Sequence, residues 1–224
     1  MKPYLPIEIH AQRLADNVRF LDDFFSERAM TWTFVIKAFE RVTPDVFAQL
    51  SGVPCASVAS ARPDLLLAYR EFHPHVETWW LNYEAKPCTY DWVNVNLTHM
   101  PTTGKDCPMV LLDELREGCD PEVAHRLIDQ KNCTHVGAYL NCAELPAVSF
   151  LDRWKRLGYG PQLKQSLGTS VSFHQVDQMQ AAGANHYRIG ELAITGRDLL
   201  TQKPIPGMRQ DAITPSESRT FLFN

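Results

Sequence analysis

A lysine, Lys37, ends an apolar stretch near the start of the chain, within residues 31–39 (TWTFVIKAF). Large apolar side chains alternate there with threonine and valine, a pattern typical of a strand covered on both faces. Desolvating an ammonium group costs several kcal/mol by order of magnitude, so such a lysine is expected to be paired, to reach solvent, or to do chemistry. Burial favours one chemistry, Schiff-base formation, because it lowers the pKa of the amine. Lys37 is therefore a candidate catalytic residue, with a solvent-exposed lysine as the alternative.

Other polar side chains also lie at or near the ends of short apolar stretches: Asn141, Thr169, Ser170 and Arg188. If these stretches are parallel strands of one sheet, their carboxyl ends meet at the same edge, and the side chains share a site with Lys37. The alternatives are a rim salt bridge for Arg188 and ordinary strand-end polarity for the Thr-Ser pair.

The elements that must position these residues are short strands separated by helical patterns. The predicted strands are residues 31–39, 55–60, 77–81, 92–97, 108–112, 134–140, 165–170 and 186–189. The predicted helices are residues 11–28, 44–50, 61–72, 121–130 and 150–157. This alternation, without a Gly-rich nucleotide loop after the first strand, predicts an α/β fold, a single (β/α)8 TIM-like barrel, rather than a doubly wound sheet. The link at residues 82–91 is short, so one helix is expected to be reduced or missing.

Composition is that of one globular domain spanning residues 1–224, with 45% hydrophobic and 21% charged residues. A net charge of -4 without a long basic run predicts neither a nucleic-acid nor a membrane surface. The start has no apolar signal core and no run approaches a membrane span, so we expect a cytoplasmic protein. The six cysteines lack CxxC and zinc-type spacing, which predicts free thiols and no metal.

Several segments, in chain order, resemble the barrel domain of the fold-type III pyridoxal phosphate (PLP) enzymes, the alanine racemase-like superfamily, and within it ornithine racemases. Residues 35–38 (VIKA) resemble the segment around the cofactor lysine, and residues 112–118 (LDELREG) resemble a "DLREG" element. Residues 136–142 (VGAYLNC) resemble the sixth strand. The longest match is residues 187–197 (YRIGELAITGR), which resembles "LRIGEAILLGR". This resemblance implies an alanine racemase N-terminal-like, PLP-binding barrel domain.

The resemblance assigns the catalytic roles to Lys37, Arg116 and Asn141. Lys37 would hold PLP through a Schiff base and then act as a base beside the substrate alpha carbon. Arg116 would approach the phenolic oxygen of the cofactor and orient the substrate carboxylate, the alternative being an ion pair with a neighbouring acidic residue. Asn141 stands where ornithine racemases have asparagine and alanine racemases have histidine.

The resemblance also implies the residues that bind the cofactor. Arg188 would contact the pyridine nitrogen and, being a permanently charged guanidinium, would leave it unprotonated, which suits racemisation. The hydroxyls of Thr169 and Ser170 and the backbone amides of Gly190 and Glu191 would bind the phosphate. Ser60 and Arg62, after the second strand, resemble a Ser-Arg pair that lies near the site in the family. The full cofactor-binding set is Lys37, Ser60, Arg62, Thr169, Ser170, Arg188, Gly190 and Glu191. For Arg62, the alternative is a role in the first turn of the following helix.

The chain also departs from the superfamily pattern. Two-base racemases carry a C-terminal β-domain with a catalytic tyrosine, whereas this sequence ends at Asn224 and has no tyrosine after Tyr187. Arg41 stands where alanine racemases have a phosphate-binding tyrosine. We therefore expect a PLP-dependent amino-acid racemase whose second base comes from another residue, a homodimer partner or a separate chain. The alternatives are a non-catalytic PLP-binding homeostasis protein and a lyase or decarboxylase working on one face.

Overall fold

The computed structural model describes residues 7–36, 50, 53, 55–60, 62–81, 95–99, 108–112, 135–139, 164–168, 173–181 and 183–215. Its strands are β1 Ile7–Ile9, β2 Thr31–Val35, β3 Ser57–Ser60, β4 Glu77–Leu81, β5 Val95–His99, β6 Pro108–Leu112, β7 His135–Tyr139, β8 Lys164–Gly168, β9 His186–Ile189 and β10 Ile213–Pro215. The α-helices within these residues are α1 Ala11–Ser26, α2 Pro63–Phe72, α3 Val176–Ala181 and α4 Glu191–Thr195.

Strands β2 to β9 pair in sequence order, and β9 pairs with β2, so that eight strands form a closed ring. Each lies at one of the eight segments that the apolar pattern predicts as strands. Strands β1 and β10 stand apart as a two-stranded antiparallel sheet. The fold is thus α/β with a mainly parallel sheet.

One strand of the ring, β5, runs antiparallel to both β4 and β6. A parallel connection needs a crossover of about a dozen residues or more, usually containing a helix. Residues 100–107, between β5 and β6, are too few for such a crossover. The short link is consistent with the antiparallel pairing of β5 with β6. This corrects the expectation of a (β/α)8 barrel in which every strand is parallel. The eightfold alternation with helices stays a prediction, because the segments that link β5 to β6, β6 to β7 and β7 to β8 lie outside the described residues.

Helix α1 packs on the outer side of the ring. Its Leu14, Val18, Leu21 and Phe25 recur at helical spacing, and all four are buried, as the sequence pattern predicts. The indole Nε1 of Trp32, in β2, donates a hydrogen bond of 2.7 Å to Asp22 of α1. The face of β2 that carries Trp32 therefore points away from the interior of the ring.

The described helices include none that is both long enough and apolar enough to cross a bilayer.

Candidate functional site

Polar side chains from four neighbouring strands meet inside the ring. Because successive strand residues point to opposite faces, Thr33 of β2 points opposite to Trp32, into the interior. On β9, the Tyr187 ring stacks against Phe25 of α1, with centroids 5.2 Å apart, so its neighbours His186 and Arg188 point inward. Side-chain hydrogen bonds then join these inward residues to β3 and β8.

We call this set the interior polar cluster: Thr33, Ser57, Ser166, His186 and Arg188. The Ser166 hydroxyl lies 2.7 Å from Nδ1 of His186, and Thr33 Oγ1 lies 3.0 Å from Nε2 of the same ring. Thr33 Oγ1 also lies 2.7 Å from the Ser57 hydroxyl. All five residues are at most 9% exposed, so their polar groups need hydrogen-bond partners inside the protein.

Arg188 is the charged member of the cluster. Its Nη1 donates hydrogen bonds to the Ser166 hydroxyl at 2.7 Å and to the Ser166 carbonyl at 3.2 Å. The guanidinium lies against Gly168, which pairs with Arg188 in the β8–β9 register. A Cβ at position 168 would stand 2.1 Å from Nη2 and 2.6 Å from Cζ. A side chain at position 168 would therefore displace the guanidinium, whereas glycine leaves room for it at the carboxyl end of β8.

Gly190 follows β9 and lies against the end of β2. A Cβ at position 190 would stand 2.9 Å from the carbonyl oxygen of Val35, closer than real Cβ contacts. Glycine thus permits the start of α4 to approach the carboxyl end of β2. Glu191, the first residue of α4, is half-buried, and this burial raises the pKa of its carboxyl above the ordinary value.

Ser60 and Arg62 lie at the start of α2. The Ser60 hydroxyl accepts a hydrogen bond of 3.1 Å from the backbone N–H of Arg62. The Arg62 side chain forms an ion pair with Asp64 in the first turn of the helix, and this pair holds the pKa of the Asp64 carboxyl below its usual value. These contacts match the alternative role for Arg62, in the first turn of the helix, and the role of both residues at a cofactor stays a prediction.

Five of the predicted site residues lie outside the described residues. They are Lys37, Arg116, Asn141, Thr169 and Ser170. In the chain, Lys37 follows the described residue Ile36, and Thr169 follows Gly168. The structure thus brings Arg188 and Gly190 to the carboxyl ends of β8 and β2. Three of the five residues, Lys37, Thr169 and Ser170, follow these two strands in the chain.

Sequence reasoning missed the partners of Arg188. His186 stands two residues before Arg188, and Ser166 stands two residues before Gly168, so each pair shares a strand face. Strand periodicity alone could have placed His186 beside Arg188. The contact with Ser166 and Thr33 depends on the register between strands, which no local pattern provides.

A small cavity of about 40 Å³ lies beside β9 and is lined by Phe25, Tyr187, Arg188, Gly190 and Leu192 among others. The buried Tyr187 hydroxyl has no hydrogen-bond partner within the described part of the chain, and burial raises its pKa. Such a volume holds a water molecule but not a cofactor. The cavity therefore adjoins the candidate site, with Arg188 and Gly190 in its lining.

No family model and no curated protein sequence match the chain. Among solved structures, an alanine racemase from Bartonella henselae with covalently bound pyridoxal phosphate matches with a TM-score of 0.62 at 15% identity, over 92% of this chain and 64% of that one. Alanine racemases from Oenococcus oeni and Clostridium difficile 630 each match with a TM-score of 0.59, at 14% and 15% identity. They are covered over 68% and 62% of their length, and this chain over 92% and 95%. The chain therefore shares the fold of these alanine racemases and spans about two-thirds of their length.

Proposed function

We propose that this protein binds PLP at the carboxyl ends of its ring strands and acts on an amino acid as a racemase or epimerase. The observation that carries the proposal is the buried Arg188 guanidinium, which donates to Ser166 and lies against Gly168. The fold shared with alanine racemases, one of which was solved with PLP, supports it. The match of residues 187–197 to the ornithine racemase segment supports the finer assignment, to an ornithine racemase-like enzyme on a (β/α)8-type barrel.

The described residues fit this cofactor. A fixed guanidinium is a donor that stays protonated at physiological pH, and it suits an acceptor such as the pyridine nitrogen. Glycine at position 168 keeps open the space that the guanidinium occupies. Gly190, directly after β9, lies against Val35, the last residue of β2, and Lys37 follows Val35 by two positions in the chain.

When bound, PLP supplies an electron sink that makes removal of an alpha proton feasible. Lys37 would hold the cofactor covalently and, once released, carry a proton on Nζ to or from the alpha carbon. Arg116 and Asn141 would orient the substrate beside it. Backbone amides of Gly190 and Glu191 would bind the phosphate. The hydroxyls of Thr169 and Ser170 would assist, with Ser60 and Arg62 nearby.

Racemisation needs a proton donor on each face of the alpha carbon. Lys37 serves one face, and the other requires a residue of this chain, of a second copy, or of a separate chain. Because the chain spans about two-thirds of the matched racemases, the substrate and the assembly are part of the proposal. The proposed substrate is a small molecule, an amino acid, and we propose no nucleic-acid or membrane partner.

Borohydride trapping tests the covalent step. The purified protein is incubated with PLP, reduced, digested and analysed by peptide mass spectrometry. We expect the mass of reduced PLP on the peptide that contains Lys37, and its loss in Lys37→Ala. Lys164→Ala is the matched control, because Lys164 lies at the opposite end of β8 and pairs with Glu77. Labelling spread over surface lysines, or unchanged in Lys37→Ala, would overturn the proposal.

Proton exchange in deuterated water separates the racemase from its alternatives. A PLP racemase exchanges the alpha proton of ornithine or another amino acid and loses optical activity in the same samples. Exchange with retained chirality would contradict racemisation and favour an enzyme working on one face. Tight PLP binding without any exchange would favour the non-catalytic carrier.

A further inference from the structure

The interior polar cluster contains a hydrogen-bond chain whose direction can be derived from its far end. The Ser57 hydroxyl donates its single proton to the carbonyl oxygen of Trp32, at 3.2 Å. Ser57 must therefore accept from Thr33 Oγ1 across their 2.7 Å contact. Thr33, having used its own proton, must accept from Nε2 of His186. The imidazole of His186 thus carries a proton on Nε2.

The directions of the hydrogen bonds between His186 and Arg188 follow from the same count of donors and acceptors. In a neutral imidazole with a proton on Nε2, Nδ1 is an acceptor. The Ser166 hydroxyl, 2.7 Å away, donates to it. Ser166 Oγ then uses a remaining lone pair to accept from Nη1 of Arg188, at 2.7 Å. Every donor in the series points away from the guanidinium, toward the Trp32 carbonyl.

A protonated imidazolium does not fit this arrangement. With protons on both ring nitrogens, His186 would donate to Ser166, which already accepts from Arg188. The Ser166 proton would then need another acceptor, and two cations would face the same hydroxyl in a buried site. The neutral tautomer with the proton on Nε2 satisfies each of these contacts at once.

We infer that Ser166, His186, Thr33 and Ser57 are positioning residues that hold Arg188 for the bound cofactor, an inference that rests on the proposed function. Hydrogen bonds in series polarise one another, so each group that donates its proton becomes a better acceptor for the donor before it. The series strengthens Ser166 as the acceptor for Nη1, while Gly168, without a side chain, leaves room for the guanidinium. Thr33 and Ser57 therefore act on Arg188 without touching it.

Nitrogen NMR of the His186 ring, in the protein without PLP, tests the direction of these hydrogen bonds. The 15N-labelled full-length protein contains eight histidines, and His186→Gln identifies the signals of interest. We expect a protonated Nε2 and a hydrogen-bonded, unprotonated Nδ1. In Ser166→Ala, we expect the 15N resonance of Nδ1 to shift because the hydrogen bond from Ser166 is lost. In Ser166→Thr, which keeps a hydroxyl, the resonance should return to its wild-type position. A protonated Nδ1 or an imidazolium in the wild-type protein would overturn the inference without any variant.

The affinity for PLP then tests the positioning role. We expect Ser166→Ala to raise the Kd for PLP about tenfold, because a charged hydrogen bond is lost. Thr33→Val, isosteric but without a hydroxyl, raises the Kd by roughly threefold through Ser166, and Thr33→Ser restores it. Unchanged affinity in folded Thr33→Val would contradict the positioning role. If the wild-type protein binds no PLP, the proposed function fails, whereas the NMR result still decides the tautomer.

Discussion

Gly168 is the residue whose size determines where Arg188 lies. Replacing it with alanine would place a Cβ within 2.1 Å of the guanidinium, so the arginine side chain must move. Overpacking of this kind costs about 1–3 kcal/mol of folding free energy. We predict that Gly168→Ala lowers the free energy of unfolding by this amount in urea titrations and weakens PLP binding.

A double-mutant cycle identifies the source of that loss. In an Arg188→Met background the guanidinium is absent, so Gly168→Ala should cost less there than in the wild-type background. We expect a coupling energy of about 1 kcal/mol or more, as found for residues in direct contact. Additive effects of the two substitutions would mean that alanine at position 168 disturbs something other than the guanidinium.

Cys55 gives a prediction on pH dependence. Burial is the main cause that raises the pKa of its thiol to about 12, and its neighbour, the Tyr69 hydroxyl, donates to the Val53 carbonyl at 2.7 Å. Because the folded protein keeps the thiol neutral, the associated stability is complete below about pH 8.5 and is lost as pH rises toward 12. Cys55→Ser should therefore reduce the alkaline loss of stability in urea titrations at several pH values. Equal slopes for the two proteins would contradict the assignment.

Among the elements, helix α1 is coupled to α4 through one buried side chain. Asn17 Nδ2 donates to the carbonyl oxygens of Ala193 and Arg209, both at 2.9 Å, and Asn17 Oδ1 accepts from the Arg209 N–H at 2.6 Å. We predict that Asn17→Ala costs about 2–4 kcal/mol in urea unfolding, because buried backbone groups lose their partners. Gln12→Ala is the control, because Gln12 is exposed and its side chain donates a hydrogen bond to Asp16 of the same helix. A cost within 0.5 kcal/mol, as is usual for surface positions, would contradict the coupling role.

Strands such as β2, β4 and β6 were predictable because they are short segments rich in apolar residues. Helix α1 was predictable from the spacing of its buried residues. The direction of β5 was not predicted. Apolar patterning gives the location of a strand but not its orientation, which depends here on the short link at residues 100–107. Orientation could have been inferred by comparing that link with the length of a crossover.

The site was predictable only in part, for a related reason. Arg188 and Gly190 stand out in a contiguous motif that resembles a known segment. Ser166, Thr33 and Ser57 come from other strands, and each alone is an ordinary strand residue. Only the pairing of β8, β9, β2 and β3 brings them to one histidine. Non-local register, rather than composition, therefore creates the interior polar cluster.

At the scale of the whole molecule, the closed ring gathers the carboxyl ends of several strands at one end. The pairing of β2 with β9 closes the ring and explains why side chains far apart in sequence meet, as Thr33 and His186 do across 153 positions. The shared fold with alanine racemases extends over more than nine-tenths of this chain. We propose that this end of the ring binds PLP, with Arg188 at the centre of the site.

The most direct test is a crystal structure of the protein with PLP. We predict continuous density between the cofactor and Lys37, with the pyridine nitrogen within hydrogen-bond distance of the Arg188 guanidinium. The same structure should show the guanidinium on Gly168 and its Nη1 on Ser166. PLP bound on the outer surface, or bound at the strand ends with Arg188 turned away, would contradict the account.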